Sequence, residues 1–543
     1  MRPRNWWDTA VIYEIYLRSF QDSNGDGVGD LPGLISRLDY LNGQDDSLGV
    51  DAVWLTPLYP SPMFDFGYDI ADYESIDPVF GTLQDFDELV AGAHARGIKV
   101  VMDFVANHTS HLHAWFQESR AGRHSPRRDW YVWRDPAPGG GPPNNWLSVF
   151  GGPAWTFDEA TGQYYLHSFL PQQPDLNWRN PEVREAMFDV IRFWTRRGVD
   201  GFRLDAIDHI AKDERLRDNP AAEGELPPES TGYELLEHLY DRRHPIIHEW
   251  LQELRAVAEE DGTPRMMVSE IYGLEPEAVA LFHGIDRPEM SMSFNFDVLQ
   301  APWDAGAFRA AIETFAANLP PRIWPNVVLN NHDQSRLVSR YDWDGLGEAR
   351  ARLAAMLLLT VRGAAFLYYG EELGMRNGII PRERLQDPVG IRHWPLNSGR
   401  DPERTPMQWT AGPTAGFTSG CPWLPVNPDH DRINVATESN DPGSLLALYR
   451  DLLRRRRETP ALLTGTYEAI DAGSEDVYAH LRQDGTQRLL IALNFAPEER
   501  HASFDLDGER AAIFLSTRRA RAGSVNPRHL ALAPLEGTIL SLE

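Results

Sequence analysis

The chain is predicted to fold as a (β/α)8 barrel of the α/β class, with an inserted domain after the third strand and an antiparallel β-sandwich at the carboxyl end. Three observations carry this. Eight short runs rich in valine, isoleucine and aromatic residues fall at 11–18, 51–57, 98–105, 199–206, 265–271, 291–296, 326–331 and 363–369. Their near-continuous apolar character is that of strands buried on both faces of a parallel sheet. Helix-period stretches separate them; in 83–96, for example, Phe86, Leu89, Val90 and Ala93 share one side. From about 466 the texture changes to short alternating strands such as 477–481 and 488–493, the pattern of an antiparallel sheet.

The domains follow from these elements. Residues 1–108 and 173–465 are expected to build the barrel. Residues 109–172 form an inserted domain leaning over the carboxyl ends of the strands, with Trp115, Trp130, Trp133, Trp146 and Trp155 and a Pro/Gly cluster at 136–143. Residues 373–430, rich in Pro, Gly and Arg, make a lid or rim, and 466–543 make the sandwich. Loops of this length are usually functional or disordered, and the aromatic content predicts order here. No internal repeat is present.

Composition excludes several classes of function. A chain of 543 residues can bury a large core in two or three domains. Its 52 basic and 80 acidic residues give a net charge of −28, which argues against nucleic acid as a partner. The single cysteine, Cys421, rules out an internal disulfide framework and fits a reducing compartment. The opening residues Met1 to Asp8 lack the apolar core of a signal peptide, and no apolar run reaches the roughly 20 residues of a membrane helix. A cytoplasmic protein with no membrane partner is expected.

Three acids arrive in order, each just after a strand: Asp205 in Gly201-Phe202-Arg203-Leu204-Asp205, Glu270 in Val268-Ser269-Glu270-Ile271, and Asp333 in Asn330-Asn331-His332-Asp333. The intervals of 65 and 63 residues suit separate βα units, and barrel active sites lie at the carboxyl ends of the strands. Three carboxylates delivered to one place suit cleavage of a sugar acetal, which needs one ionised and one protonated acid. Arg203, two residues before Asp205, lies on the same side of the strand and should lower its pKa, as a nucleophile requires. Glu270 follows Met266, Met267 and Val268, an apolar setting that should keep its proton on for general acid work. His332 and, after the third strand, His108 in Asp103-Phe104-Val105-Ala106-Asn107-His108 can serve sugar hydroxyls.

On these segments the chain resembles the α-amylase family of retaining glycoside hydrolases, in its α-glucosidase and oligo-1,6-glucosidase branch, over nearly its whole length. Further matching stretches are 49–57 and Gln173-Pro174-Asp175-Leu176-Asn177. The resemblance implies Asp205 as nucleophile, Glu270 as acid/base and Asp333 as transition-state stabiliser, with Arg203, His108 and His332 on the glucose. In Phe64-Asp65-Phe66-Gly67-Tyr68-Asp69 it implies that Tyr68 stacks on the sugar ring and Asp65 binds its far hydroxyls. In Arg404-Thr405-Pro406-Met407-Gln408-Trp409 it implies that Arg404 partners Asp65, closing the non-reducing end for exo attack.

The stretch 22–30 sets oxygen ligands at alternate positions with glycines for the bend, as in the first half of an EF-hand: Asp22, Asn24, Asp26, the Val28 carbonyl and Asp30. Position twelve is Gly33 in place of the usual bidentate glutamate. A structural Ca2+, with Mg2+ as the alternative, is expected there, and no organic cofactor. In the family, valine after the nucleophile goes with α-1,6 bonds and threonine with α-1,4; this chain has Ala206. The residues therefore point to an α-1,4 or broad α-glucosidase of maltose- or sucrose-like sugars, with transglucosylation as a second outcome. The 173–177 segment resembles the oligo-1,6 form. Sucrose- or trehalose-active transferases and isomerases share the acids, and a non-catalytic transporter-accessory protein shares the barrel.

Overall fold

The computed structural model describes residues 5–224, 230–284, 286–506 and 510–542; Met1 to Arg4, where the amino-terminal reading begins, lie outside them. Eleven strands precede the carboxyl-terminal sheets: β1 (Val11–Ile15), β2 (Ala52–Leu55), β3 (Lys99–Val105), β4 (Trp133–Arg134), β5 (Trp155–Asp158), β6 (Gln163–Leu166), β7 (Gly201–Asp205), β8 (Met266–Ser269), β9 (Met292–Ser293), β10 (Asn326–Val328) and β11 (Ala364–Tyr368). Eight form one parallel sheet in the order β10-β11-β1-β2-β3-β7-β8-β9. Each lies inside one of the eight apolar runs, and all residues of β1, β2, β7, β8, β10 and β11 are buried, which is why they read as continuous rather than alternating.

The sheet closes on itself through a side chain. Between β9 and β10 no main-chain ladder forms among the described residues. Instead the Asn326 amide donates to the Ser293 carbonyl at 2.7 Å and accepts from the Asn295 N–H at 3.3 Å. Around the sheet run the helices that the 3.6-residue period predicts. Leu83–Ala95 buries Phe86, Leu89, Val90 and Ala93, and starts on a capping box between Thr82 and Asp85.

Between β3 and β7 the chain leaves the barrel. Helix Ala114–Arg120 packs against the three-stranded antiparallel sheet β4-β6-β5. Phe116 and Trp133 stack at 5.7 Å and 5°, and Arg128 lies 3.5 Å over Trp133. The 373–430 segment is laid down as structure: residues 401–409 are all buried. Beyond it, β12 (Thr466–Ile470), β13 (Val477–Asp484), β14 (Gln487–Asn494), β15 (Arg500–Ala502), β16 (Ala511–Ser516), β17 (Ser524–Val525), β18 (Leu530–Leu532) and β19 (Gly537–Leu542) form an antiparallel six-stranded sheet, β12-β13-β14-β19-β16-β17, and a two-stranded one, β15-β18. Leu490, Leu540, Phe504, Leu530 and Leu532 are buried together between them. Among the described residues, no helix is long and apolar enough to cross a membrane.

Candidate active site

A cavity of about 440 Å³ opens at the carboxyl ends of the barrel strands, lined among others by Asp65, Tyr68, Asp205, Glu270, Asp333 and Arg400. The three acids predicted from sequence therefore meet in one place. Asp205 is the last residue of β7, Glu270 follows β8 directly, and Asp333 lies five residues beyond β10. All three strands are parallel, so their ends share a rim.

Arg203 is buried beneath them and reaches three carboxylates. Its Nη1 bonds Asp103 Oδ1 at 2.6 Å and Asp205 Oδ1 at 2.9 Å, and its Nη2 lies 2.5 Å from Glu270 Oε2. Glu270 Oε2 also accepts from the Ala206 N–H at 3.2 Å. This corrects the expectation that Arg203 lowers the pKa of Asp205 below the ordinary range, because the guanidinium is shared among three carboxylates. Burial pushes the Asp205 carboxyl well above the ordinary range, and the pull of Arg203 is divided and does not reverse it. Burial raises Glu270 as well, as its apolar approach predicted, with Arg203 opposing and Asp333 adding to the rise. Two raised carboxyls on one guanidinium titrate as a coupled pair.

Asp333 is of the opposite kind. Burial opposes its charge, but His332, Arg400 and Arg404 together hold it far below the usual carboxylate range. Arg404 Nη2 bonds Asp333 Oδ1 at 2.6 Å, and Arg404 Nε bonds the His332 carbonyl at 2.8 Å. This corrects the expected pairing of Arg404 with Asp65. The partner of Asp65 is Arg400, whose Nη2 meets Asp65 Oδ1 at 2.6 Å, while its Nη1 lies 3.2 Å from Asp333 Oδ1 and its Nε 2.5 Å from Asp387 Oδ2. Arg400 precedes the short helix Asp401–Arg404 and its side chain lines the cavity, whereas Arg404 is fully buried behind Asp333. Burial raises the Asp65 carboxyl, and Arg400 lowers it in part.

The remaining predicted residues are also here. The Tyr68 ring lies parallel to His332 at 5.5 Å and its hydroxyl is 3.1 Å from Asp103 Oδ2. His108 lines the cavity with its Nε2 3.1 Å from the Gln173 amide, and burial lowers it to about 4, so it is neutral. Gln173 also donates to Asp65 Oδ2 at 3.0 Å, and Asp175 pairs with Lys212 Nζ at 2.7 Å. The 173–177 segment therefore pins the inserted region to the barrel behind the pocket. Ala206 lies at the cavity wall with left-handed backbone, φ +39°. Sequence reasoning missed Arg400, Gln173 and Glu14, a buried acid of β1 whose Oε1 lies 2.5 Å from His332 Nδ1. Glu14 sits in the middle of an apolar run, and a charged residue inside a predicted buried strand was the available signal.

Residues 14–465 match the family described as "Alpha amylase, catalytic domain". The chain belongs to the alpha-amylase family. It is 45% identical over 508 residues to a probable alpha-glucosidase of Rhizobium meliloti, covering 91% of this chain and 90% of that protein. An oligo-1,6-glucosidase of Parageobacillus thermoglucosidasius is 40% identical over 524 residues, covering 91% of each. Among solved structures, an alpha-glucosyl transfer enzyme, XgtA, superposes with a TM-score of 0.92 at 42% identity over 99% of both chains. The trehalulose synthase MutB of Pseudomonas mesoacidophila gives 0.89 at 37% over the whole of both. This alpha-amylase family member is a glycoside hydrolase with glucosidase-type activity.

One further loop of the alpha-amylase family barrel concerns a metal. In 22–30, Asp22 Oδ1 accepts from the Asn24 N–H, Asn24 Oδ1 from Asp26 and Asp26 Oδ1 from Val28, at 2.8–2.9 Å. Each of these oxygens closes a turn on the main-chain N–H two residues on. Asp30 is engaged by Ser23 and caps Gly33. Among the described residues no three His, Cys, Asp or Glu side chains converge as a metal site, so Asp22, Asp26 and Asp30 do not form the three-carboxylate set expected from the sequence. Hard oxygen donors of that kind suit Ca2+. The Thr418 hydroxyl donates to Asp22 Oδ2, and the Asp22 N–H donates to the Phe417 carbonyl at 3.0 Å, so the loop buckles the 373–430 segment to the barrel.

Proposed function

We propose that the protein is an exo-acting, retaining α-glucosidase that releases glucose from the non-reducing ends of short α-glucosides, α-1,4-linked or broadly so. The observation that carries this is the pair Asp205 and Glu270 on the two arms of Arg203, in a pocket whose inner wall is the Asp65–Arg400 ion pair. Asp205 attacks the anomeric carbon while Glu270 gives its proton to the departing glycosidic oxygen. Glu270 then takes a proton from water, which attacks the glucosyl–Asp205 ester, and two displacements restore the α configuration. One proton shared by two raised carboxyls is the state this needs: one carboxylate to attack, one acid to protonate. Asp333, held ionised by its arginines, stabilises the positive charge developing on the ring. His108, His332 and Tyr68 bind hydroxyls and the ring face.

Interception of the glucosyl ester by a sugar hydroxyl gives transglucosylation, a reading supported by the likeness to a glucosyl transfer enzyme. The relatives named oligo-1,6-glucosidases and the likeness of the 173–177 segment to the oligo-1,6 form favour an α-1,6 reading as the second choice. The same proposal places a structural Ca2+ in the 22–30 loop and the protein in the cytoplasm, the latter resting on a lone free thiol, Cys421.

The test is kcat/KM for maltose against isomaltose, with the anomer of the first-released glucose read by proton NMR. A ratio well above one with α-glucose as first product is the expected result. A ratio well below one makes this an oligo-1,6-glucosidase; β-glucose as first product removes the double displacement.

A further inference from the structure

Glu14 is a buried acid with no part in the reaction just described. It lies in the middle of β1, 1% exposed, and its Oε1 is 2.5 Å from His332 Nδ1. The other side of that imidazole fixes how many protons the pair must hold. His332 Nε2 lies 3.2 Å from Asp333 Oδ2 and 2.7 Å from the Tyr68 hydroxyl. Asp333 is an acceptor only, because Arg400 and Arg404 keep it ionised. Tyr68 has one hydrogen, and Asp103 Oδ2 at 3.1 Å is there to take it, while Arg203 Nη1 donates to the same hydroxyl. The Tyr68 hydroxyl therefore demands a hydrogen from Nε2, and the Asp333 anion, a charge contact and not a hydrogen-bond partner, favours it there. A bare Nε2 would instead put a lone pair against the Asp333 anion.

With Nε2 protonated, a second proton must lie between Nδ1 and Glu14, since two lone pairs would not approach to 2.5 Å. Burial holds the imidazole well below its ordinary value; the Asp333 anion opposes this, and Arg404, Arg203 and Arg400 add to the lowering. Burial raises Glu14, with Asp333 and Asp103 adding to the rise and Arg203 and the His332 main-chain N–H opposing it. That N–H donor can be met by the carbonyl oxygen of a carboxylic acid while its O–H faces Nδ1.

We propose that Glu14 is a positioning residue for His332: as a carboxylic acid it donates to Nδ1, which keeps the hydrogen on Nε2 and turns it toward Asp333 and the hydroxyls of the bound sugar. This rests on the reading of the cavity as a glucose site. It makes an acid on the first strand set the tautomer of a histidine 318 residues later.

Two variants and one spectrum test it. Glu14→Leu removes the donor, and kcat/KM for maltose is expected to fall roughly tenfold, from the loss of one buried hydrogen bond and of the Nε2 hydrogen that it fixes beside the Asp333 anion. Glu14→Gln can donate through its amide and is expected to recover most of that loss. Infrared difference spectra of wild type against Glu14→Gln, with 13C-labelled glutamate, should contain the carbonyl stretch of one protonated carboxylic acid. Wild-type rates in Glu14→Leu, or a Glu14→Gln as damaged as Glu14→Leu, would overturn the proposal, and so would absence of the acid band. If Glu14→Leu does not fold, the spectrum and Glu14→Gln still decide. Failure of the wild type on maltose, isomaltose and sucrose alike would instead strike the glucosidase reading and leave the spectrum to report on Glu14.

Discussion

Arg400 stands between Asp65, Asp333 and Asp387, so its removal leaves the buried Asp65 and Asp387 short of a cation and Asp333 with Arg404. Breaking a buried pair by deleting one partner costs about 3–5 kcal/mol. Arg400→Ala is therefore expected to lower kcat/KM for maltose by at least roughly a hundredfold, and Arg400→Lys to recover little, because one ammonium cannot fork to two carboxylates. Steady-state kinetics on both variants checks this; a lysine variant near wild type would mean that charge alone suffices. Asp205, Glu270 and Asp333 were legible because each comes at or just after the end of an apolar run. Their arginine was not: Arg400 meets Asp65 across 335 residues of chain, and two arginines four positions apart differ only in how one short helix turns them. Ala206 gives a second expectation. A β-branched residue is strained at φ +39°, at a cost of about 1–3 kcal/mol. Ala206→Thr and Ala206→Val should both melt lower than wild type, while the maltose-to-isomaltose ratio rises for threonine and falls for valine. Ratios that do not move would detach linkage preference from this position.

At the scale of elements, the eight strands were readable because burial on both faces leaves no polar alternation to confuse with a helix. The seam of the barrel was not, since β9 has only two residues and a side chain replaces its ladder to β10. Asn326→Leu would leave the Ser293 carbonyl and the Asn295 N–H buried without partners, at about 1–3 kcal/mol each. A clear drop in melting temperature is expected, with KM almost unchanged in whatever remains folded. The 22–30 loop offers a cleaner perturbation. Since it ties Thr418 and Phe417 to the barrel, a bound ion should stabilise by mass action. Chelation by EDTA should lower the melting temperature and Ca2+ restore it, more fully than Mg2+. Asp22→Ala should abolish the difference, and a melting curve indifferent to EDTA would leave the loop as turns alone.

For the whole molecule, the acidic balance acts through a few groups inside rather than through the surface. Glu371, Glu403 and Glu438 are buried, and burial raises them to about 7, about 8 and about 8. Glu371 sits where the chain leaves β11, bonded by the Tyr449 hydroxyl at 2.9 Å, and Glu438 accepts the Leu446 N–H at the head of helix Leu445–Glu458. The two mark the junction between the barrel and the helix that leads to the carboxyl-terminal sheets. An unfolded glutamate titrates near 4.3, so the folded state binds these protons more tightly. Their stabilisation is complete below about pH 4.3 and is lost as pH rises through 7 to 8, where each group still protonated in the folded state costs about 1.4 kcal/mol per pH unit. The carboxylates held low, such as Asp213 and Asp344 at about 2, contribute in the opposite sense and only in acid, so they leave this window clear. Between pH 6 and 8 these glutamates lower the unfolding free energy, but buried neutral histidines oppose them: His108 and His283, lowered to about 4, and His113 and His480, lowered to about 3. That opposition fades once an unfolded histidine loses its proton above about pH 6.5, so the net decline should be steepest from pH 7 to 8, with self-repulsion among 28 net negative charges adding to it. Glu438→Gln removes one such proton, and its urea-unfolding free energy should be flatter over that interval by about 2 kcal/mol in total. Parallel curves for the variant and wild type would mean that Glu438 is ionised in the fold and that its burial is offset by partners other than the Leu446 N–H.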